Sequence, residues 1–285
     1  MSREVKVAAI QMRMGSDKTA NIQKAKNLLR DAAASGAQII LLPELFEGLY
    51  FCKDMDEKYF SWAAPLENNP LIQEFSSLAK ELRVVVLVSY FEKAQEYYYN
   101  SLVVVDADGS ILDNYRKTHI PDGPGYEEKF YFTPGDTGFR VWSTAYAKIG
   151  AGICWDQWFC ESARALTLQG AEIIFYPTAI GSEPEIGVDS KKHWQRVQMG
   201  HAASNTVPVV VANRFGVEKG ESCELTFYGS SFITDYTGAI IAEASRDTEE
   251  ILYGVFDLQE NAKQREYWGL LRDRRASMYK KLSEE

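Results

Sequence analysis

Residues 36–43 read GAQIILLP and residues 170–177 read GAEIIFYP, while residues 99–111 read YNSLVVVDADGSI and residues 228–240 read YGSSFITDYTGAI. The two pairs stand in the same order along the chain, and Tyr, Ser, Asp, Gly and Ile recur at matching offsets in the second pair. Gly and Asp recur in turns generally, because each relieves a steric or hydrogen-bonding problem there. One matched turn would therefore mean little, but two matched segments in one order point to an internal duplication.

Outward from these segments the same element order runs twice. In the first half VKVAAIQM (5–12) reads as a buried strand, and DKTANIQKAKNLLRDAAASG (17–36) as a helix capped at Ser16 or Asp17 and closed by Gly36. Strand QIILLPEL, helix PLIQEFSSLAKEL, strand VVVLVSYF and a hairpin SLVVVDADGSILDNYRK turning at residues 106–109 follow. After residue 147 the order restarts with strand KIGAGIC, helix SARALTLQG, strand EIIFYP, helix SKKHWQRVQMGHAASN, strand VPVVVANRF and hairpin SSFITDYTGAIIAEA. Each half supplies helices for one face of its sheet, so the uncovered faces are most simply buried against each other. The expected fold is α/β, a four-layer α-β-β-α sandwich. No Pro/Gly/Ser-rich linker separates the halves, and 1–285 reads as a single domain.

With 285 residues, 46% of them hydrophobic, the chain can bury a large core, which excludes disordered and fibrous classes. A net charge of -9 argues against nucleic acid as the main partner and suits small or cationic ligands. Cys52, Cys154, Cys160 and Cys223 are spaced neither as a disulfide framework nor as a CxxC zinc pattern, which points to a reducing, intracellular compartment. MSREVKVAAIQM runs straight into a strand pattern without the form of a signal peptide, and no stretch approaches the ~18 apolar residues of a membrane span. A soluble, cytoplasmic protein is expected.

Three reactive side chains fall at strand ends, where α/β sheets present ligands. Cys154 ends KIGAGIC, Glu44 follows LLP, and Lys117 ends the second arm of the first hairpin. A thiol attacks a carbonyl carbon as thiolate and needs a base or a positive charge to reach that form. A carboxylate suits the base role where burial raises its pKa, and a lysine lowers the thiol pKa and holds a developing oxyanion. Taken singly, each has an ordinary reading: a core cysteine, a surface carboxylate, a solvated hairpin end. A Cys–His pairing also stays open, since His119 stands two residues from Lys117, with His193 and His201 further on. No GxGxxG, P-loop or HExxH motif supports a nucleotide or zinc site.

LLPELF around Glu44, YRKTHI around Lys117 and GICWD around Cys154 resemble the three signature segments of the nitrilase superfamily of carbon-nitrogen hydrolases, in order and spacing, across essentially the whole chain. The resemblance implies the α-β-β-α fold, a Glu44–Lys117–Cys154 triad, no cofactor or metal, and frequent homo-oligomers of two or more subunits, with the tail from about 258 to 285 at an interface. It also implies a second glutamate six residues before a Pro-Gly, which in EKFYFTPG is Glu128, with Glu127 beside it as the alternative. AIQM, GICWDQWF, PTAIGSEP, FTPGDTGF and WGLLRDRR resemble the members that act on carbamoylated amines. Cys160 departs from the pattern where proline is expected, at a helix start that favours but does not require it.

On that resemblance Glu44 takes the proton of Cys154, the thiolate attacks a ureido carbonyl, and Lys117 with the backbone N–H of Trp155 holds the oxyanion. Glu44 then activates water, and Glu128 positions Lys117 and the substrate amide. The stretch WDQWFCE after the nucleophile offers no cation for a substrate carboxylate, whereas GSEPEIGVD offers Glu183, Glu185 and Asp189 to an ammonium, and the resemblance favours Glu183. Arg214 and Lys191 keep open a carboxylate-ended substrate and hence another amidase of the superfamily, a β-ureidopropionase or an ω-amidase. A catalytically inactive scaffold of the same fold is the non-enzymatic alternative, against which the joint presence of Glu44, Lys117 and Cys154 counts. The partner expected is a small carbamoylated amine, not nucleic acid or membrane.

Overall fold

The apolar runs pair into two six-stranded sheets in the computed structural model, which describes residues 2–182, 187–221 and 223–284. The first half contains β1 (Glu4–Gln11), α1 (Lys18–Ala34), β2 (Ile39–Leu41), α2 (Pro70–Leu82), β3 (Val85–Ala94), β4 (Tyr97–Val105), β5 (Ile111–Arg116) and the single turn α3 (Glu128–Tyr131). The second contains β6 (Arg140–Ser143), β7 (Lys148–Ala151), α4 (Cys160–Leu168), β8 (Ile173–Thr178), α5 (Lys191–Asn205), β9 (Val209–Asn213), β10 (Phe215–Lys219), β11 (Glu224–Tyr228), β12 (Phe232–Thr234) and β13 (Ile240–Glu243). The chain closes with β14 (Glu250–Asp257) and α6 (Leu258–Trp268).

Local chemistry sets the helix boundaries. Asp17 accepts the Ala20 N–H at the start of α1, and Asn69 accepts from Leu71 and Ile72 at the start of α2, where Pro70 occupies the first helical position. The helical period of α2 then gathers Leu71, Ile72, Phe75, Leu78 and Ala79 on its buried face.

The sheets run β14-β1-β2-β3-β4-β5 and β13-β12-β9-β8-β7-β6. Superposing the two orders matches β2 with β8 and the β4–β5 hairpin with β12–β13, which are the segments whose sequences repeat. The inner faces meet in one core, where Val7, Ile39, Val85 and Leu102 of the first sheet join Ile149, Phe175, Val210 and Ile233 of the second. The outer face of the first sheet packs Ile40, Val86 and Val103 against Leu29 of α1 and Phe75 of α2, and that of the second packs Ile174 and Val209 against Leu166 of α4 and Trp194 of α5. These are the four layers of the α-β-β-α sandwich.

The sequence pattern missed β6 and β14, which occupy matching places beside β7 and β1, both antiparallel to them. The stretch 207–215, which reads as one strand, breaks at Arg214 between β9 and β10, and β10 pairs with β11 in a separate two-stranded ribbon. Among the described residues no helix is long and apolar enough to cross a membrane.

Candidate active site

Glu44 lies just past β2, Lys117 directly follows β5, and Cys154 lies just past β7. After Glu44 the chain turns through Leu45 at φ 47°, whose N–H donates to Ser89 Oγ at 3.1 Å. The backbone of Lys117 is held on both sides, its N–H donating to the Asn100 carbonyl at 2.8 Å and its own carbonyl accepting the Gly135 N–H at 2.8 Å. Gly135 comes so close that a Cβ there would lie 2.1 Å from the Arg116 carbonyl oxygen, so the first Gly of FTPGDTGF is a steric requirement.

Cys154 has φ 42°, a left-handed conformation that costs a side-chain-bearing residue roughly 1–2 kcal/mol. The fully buried Asp156 stabilises this turn by accepting the Ile153 N–H at 2.9 Å, the Tyr115 hydroxyl at 2.7 Å and the His119 N–H at 3.0 Å. The strand therefore stops at Ala151, earlier than KIGAGIC predicts.

Lys117 Nζ bridges two carboxylates, at 2.9 Å from Glu44 Oε1 and 2.7 Å from Glu128 Oε2, and all three side chains are fully buried. Asn100 Nδ2 donates to the same Glu44 oxygen at 2.7 Å, and the Tyr50 hydroxyl donates to Glu128 Oε1 at 2.6 Å. Glu44 Oε2 and Asn100 Oδ1 have no hydrogen-bond partner among the described residues. Cys154 Sγ points toward the Ala179 carbonyl at 3.7 Å.

With two carboxylates and one ammonium, the cluster favours a neutral thiol. Burial pushes the Cys154 thiol well above its ordinary value, the Glu44 charge pushes it further, and the opposing pull of Lys117 does not compensate. The lowering expected from a neighbouring lysine is present but outweighed. Burial alone would depress Lys117, but Glu128 and Glu44 hold it above its ordinary value, so it stays an ammonium. Glu128 is raised by burial despite Lys117. An un-ionised thiol, a carboxylate oxygen with no partner among the described residues and an ammonium can together carry out nucleophilic attack coupled to proton transfer.

The remaining candidates are placed as follows. Glu127 is only partly buried, and its backbone N–H donates to the Cys52 carbonyl, whereas Glu128 faces Lys117. Trp155 is 39% exposed beside the buried Cys154. Cys160 begins α4 as an exposed thiol. Glu183 and Glu185 lie outside the described residues, and Asp189 is paired with Arg246 at 2.6 Å. His119 places Nδ1 2.8 Å from Asp156 and stacks on Phe159 with ring centroids 3.7 Å apart. His201 meets the Gln157 carbonyl and His193 the Trp158 ring. The two cations considered for a substrate carboxylate are engaged elsewhere: Lys191 pairs with Glu243 at 2.6 Å, and Arg214 is fully buried on Glu218 and main-chain carbonyls.

Asn100, Tyr50 and Asp156 were missed. Asn100 stands where the second copy of the repeated segment has Gly229, but most other positions of that segment differ as well, so the difference did not single it out.

The carbon-nitrogen hydrolase model matches residues 6–266. The chain is 54% identical to an N-carbamoylputrescine amidase of Arabidopsis thaliana, over 98% of this chain and 95% of that protein. It is 51% identical to a citrullinase of Francisella tularensis, over 96% of each. The crystal structure of a carbon-nitrogen hydrolase from Helicobacter pylori superposes with a TM-score of 0.92 at 39% identity, covering 99% of both chains.

Proposed function

The chain belongs to the carbon-nitrogen hydrolase family, and from that premise we propose that it hydrolyses N-carbamoylputrescine to putrescine, carbon dioxide and ammonia. The observation that carries the chemistry is Glu44 Oε2, a buried carboxylate oxygen with no hydrogen-bond partner among the described residues, on a side chain whose charge acts on the Cys154 thiol. Glu44 takes the thiol proton as Sγ attacks the ureido carbon. Lys117 has three N–H donors and spends two on Glu44 and Glu128, so the third, with the Trp155 backbone N–H, holds the oxyanion. Glu44 returns the proton to the terminal nitrogen, the C–N bond breaks and ammonia leaves. Cys154 then carries an alkylcarbamoyl thioester. Water deprotonated by Glu44 adds to it, the C–S bond breaks with the proton returning to sulfur, and the released carbamate loses carbon dioxide to give the amine.

The substrate reading rests on charge. Neither Arg214 nor Lys191 is free to meet a carboxylate, and Glu183 is assigned to the substrate ammonium. A second reading is citrulline, which bears the same ureido group at one end and an α-amino acid at the other; the Francisella relative favours it. Initial rates on N-carbamoylputrescine, citrulline and N-carbamoyl-β-alanine decide between them. The putrescine compound should be turned over best, with an alkylcarbamoyl adduct on the Cys154 peptide during turnover. A preference for either carboxylate-bearing compound rejects this assignment. The protein is taken to act in the cytoplasm, without a cofactor, as a single domain in a homo-oligomer. The C-terminal segment supports oligomerisation, with Tyr267 81%, Trp268 61% and Leu282 70% exposed, a set of large apolar side chains suited to a second copy.

A further inference from the structure

Arg214, which from the sequence could have served a substrate carboxylate, faces the catalytic cluster from behind. Its Nη2 donates to the carbonyls of Glu44 at 2.7 Å and Leu45 at 3.0 Å, and its Nη1 to the Gly48 carbonyl at 3.3 Å and to Glu218 Oε1 at 2.9 Å. The guanidinium packs over the rings of Tyr50 and Phe227, 5.6 and 5.3 Å from their centroids. Glu218 Oε2 accepts the Tyr50 N–H at 2.6 Å, and the hydroxyl of the same Tyr50 donates to Glu128. One buried ion pair thus touches both carboxylates that flank Lys117, Glu44 through its own main chain and Glu128 through the Tyr50 ring.

We propose that Arg214 and Glu218 are a positioning pair that sets the places of Glu44 and Glu128 and thereby the proton transfers at Cys154. A buried ion pair contributes little net stability compared with well-packed apolar residues, so stability alone does not account for it. Positioning does. The segment 44–50 between β2 and the following turn offers buried carbonyls that must find donors, and the planar guanidinium reaches three of them while Glu218 takes the Tyr50 N–H. Asn213, the preceding residue, does the corresponding work on the other side: its Oδ1 accepts the Ile180 N–H at 3.0 Å and its Nδ2 donates to the Ile180 carbonyl at 2.9 Å. That fixes the segment holding Ala179, toward whose carbonyl the thiol points. The dipeptide ending β9 thus anchors both sides of the reaction centre, and the break between β9 and β10 that the sequence pattern missed is where it does so.

The inference rests on Glu44 being the base, and the test separates the two. Full-length Arg214→Gln, Arg214→Lys, Glu218→Gln and Tyr50→Phe are compared with wild type and Glu44→Gln on N-carbamoylputrescine, with circular dichroism confirming the fold. Misplacing a catalytic group by about 1 Å costs on the order of 100-fold. Arg214→Gln should therefore lose roughly 10- to 100-fold in kcat with KM within about threefold. Arg214→Lys should recover part of the loss, since an ammonium replaces the charge but not the planar fork. Tyr50→Phe frees Glu128 from a hydrogen bond that favours its charged form, so the acid limb of its kcat profile should move to higher pH, which a role in packing alone would not cause. Wild-type kcat in folded Arg214→Gln, a loss confined to KM, or an unshifted profile in Tyr50→Phe overturns the proposal. Should the Arg214 variants fail to fold, Glu218→Gln and Tyr50→Phe decide by the same readouts. Turnover by Glu44→Gln would instead remove the base assignment.

Discussion

Replacing Glu44 by Gln tests the proposed mechanism at one atom. Two donors, Lys117 Nζ at 2.9 Å and Asn100 Nδ2 at 2.7 Å, converge on Oε1, so the carbonyl oxygen of a glutamine must turn toward them. Its amide nitrogen then occupies the place of Oε2, and a donor replaces the acceptor that is to take the proton. The side chain keeps its shape. The formal charge of the Glu44–Glu128–Lys117 cluster goes from one negative to neutral, so the melting temperature should move little. Loss of a general base costs 10²–10⁴-fold, about 2.7–5.4 kcal/mol at 1.36 kcal/mol per tenfold. Both half-reactions need the base, so ammonia release in a single turnover and steady-state turnover should fall together. The thiol should move the other way. Glu44 is the largest charge holding Cys154 up after burial, so removing that charge lets the thiolate form at lower pH. The assay is the pH dependence of iodoacetamide alkylation, read by mass spectrometry on the Cys154 peptide because Cys160 is an exposed thiol. A variant with more available thiolate and almost no turnover is expected. Turnover within tenfold of wild type, or an alkylation midpoint displaced upward, refutes the reasoning.

Lys117→Met should lower kcat by about 100-fold or more, the scale for one oxyanion donor. It should also destabilise the fold by about 3–5 kcal/mol at pH 8, because two buried carboxylates lose their cation. Glu128, already raised by burial, then rises further; a raised carboxyl contributes stability below its unfolded pKa and loses it as pH climbs through the folded value. Melting curves of variant and wild type should therefore converge as the pH is lowered from 8, and a constant gap would contradict this. His119→Phe should retain turnover, because its ring stacks on Phe159 and its nitrogen serves Asp156 rather than Cys154; loss of turnover with Glu44→Gln still active would restore the Cys–His pairing. Dialysis against a strong chelator should leave the rate unchanged, and activity lost and then restored by one divalent metal would disprove cofactor-free chemistry.

How much of the fold and site is legible in the sequence follows from what each feature depends on. Strand and helix periodicity is local, so the paired segments at 36–43 and 170–177 carried the two-sheet sandwich, and the strand ends carried Glu44, Lys117 and Cys154 as neighbours in kind. Outer strands escaped for different reasons: β14 pairs with β1 from the far end of the chain, whereas β6 is a four-residue strand folded onto β7 by a short turn and carries too little pattern to be read. The electrostatic balance was also beyond a linear reading: whether a lysine or two carboxylates dominates a thiol depends on burial and on distances across two sheets, and here burial and Glu44 outweigh Lys117. Arg214 shows the limit most sharply. Its charge is written in the sequence, but what that charge faces was not, since the carbonyls of Glu44 and Leu45 reach it only once β9 and β2 lie in the packed sandwich. The sequence alone determined which groups are available and the local conformations that present them; the tertiary structure decided which of them meet, because hydrogen bonds and charges act over a few ångströms of space and not along the chain.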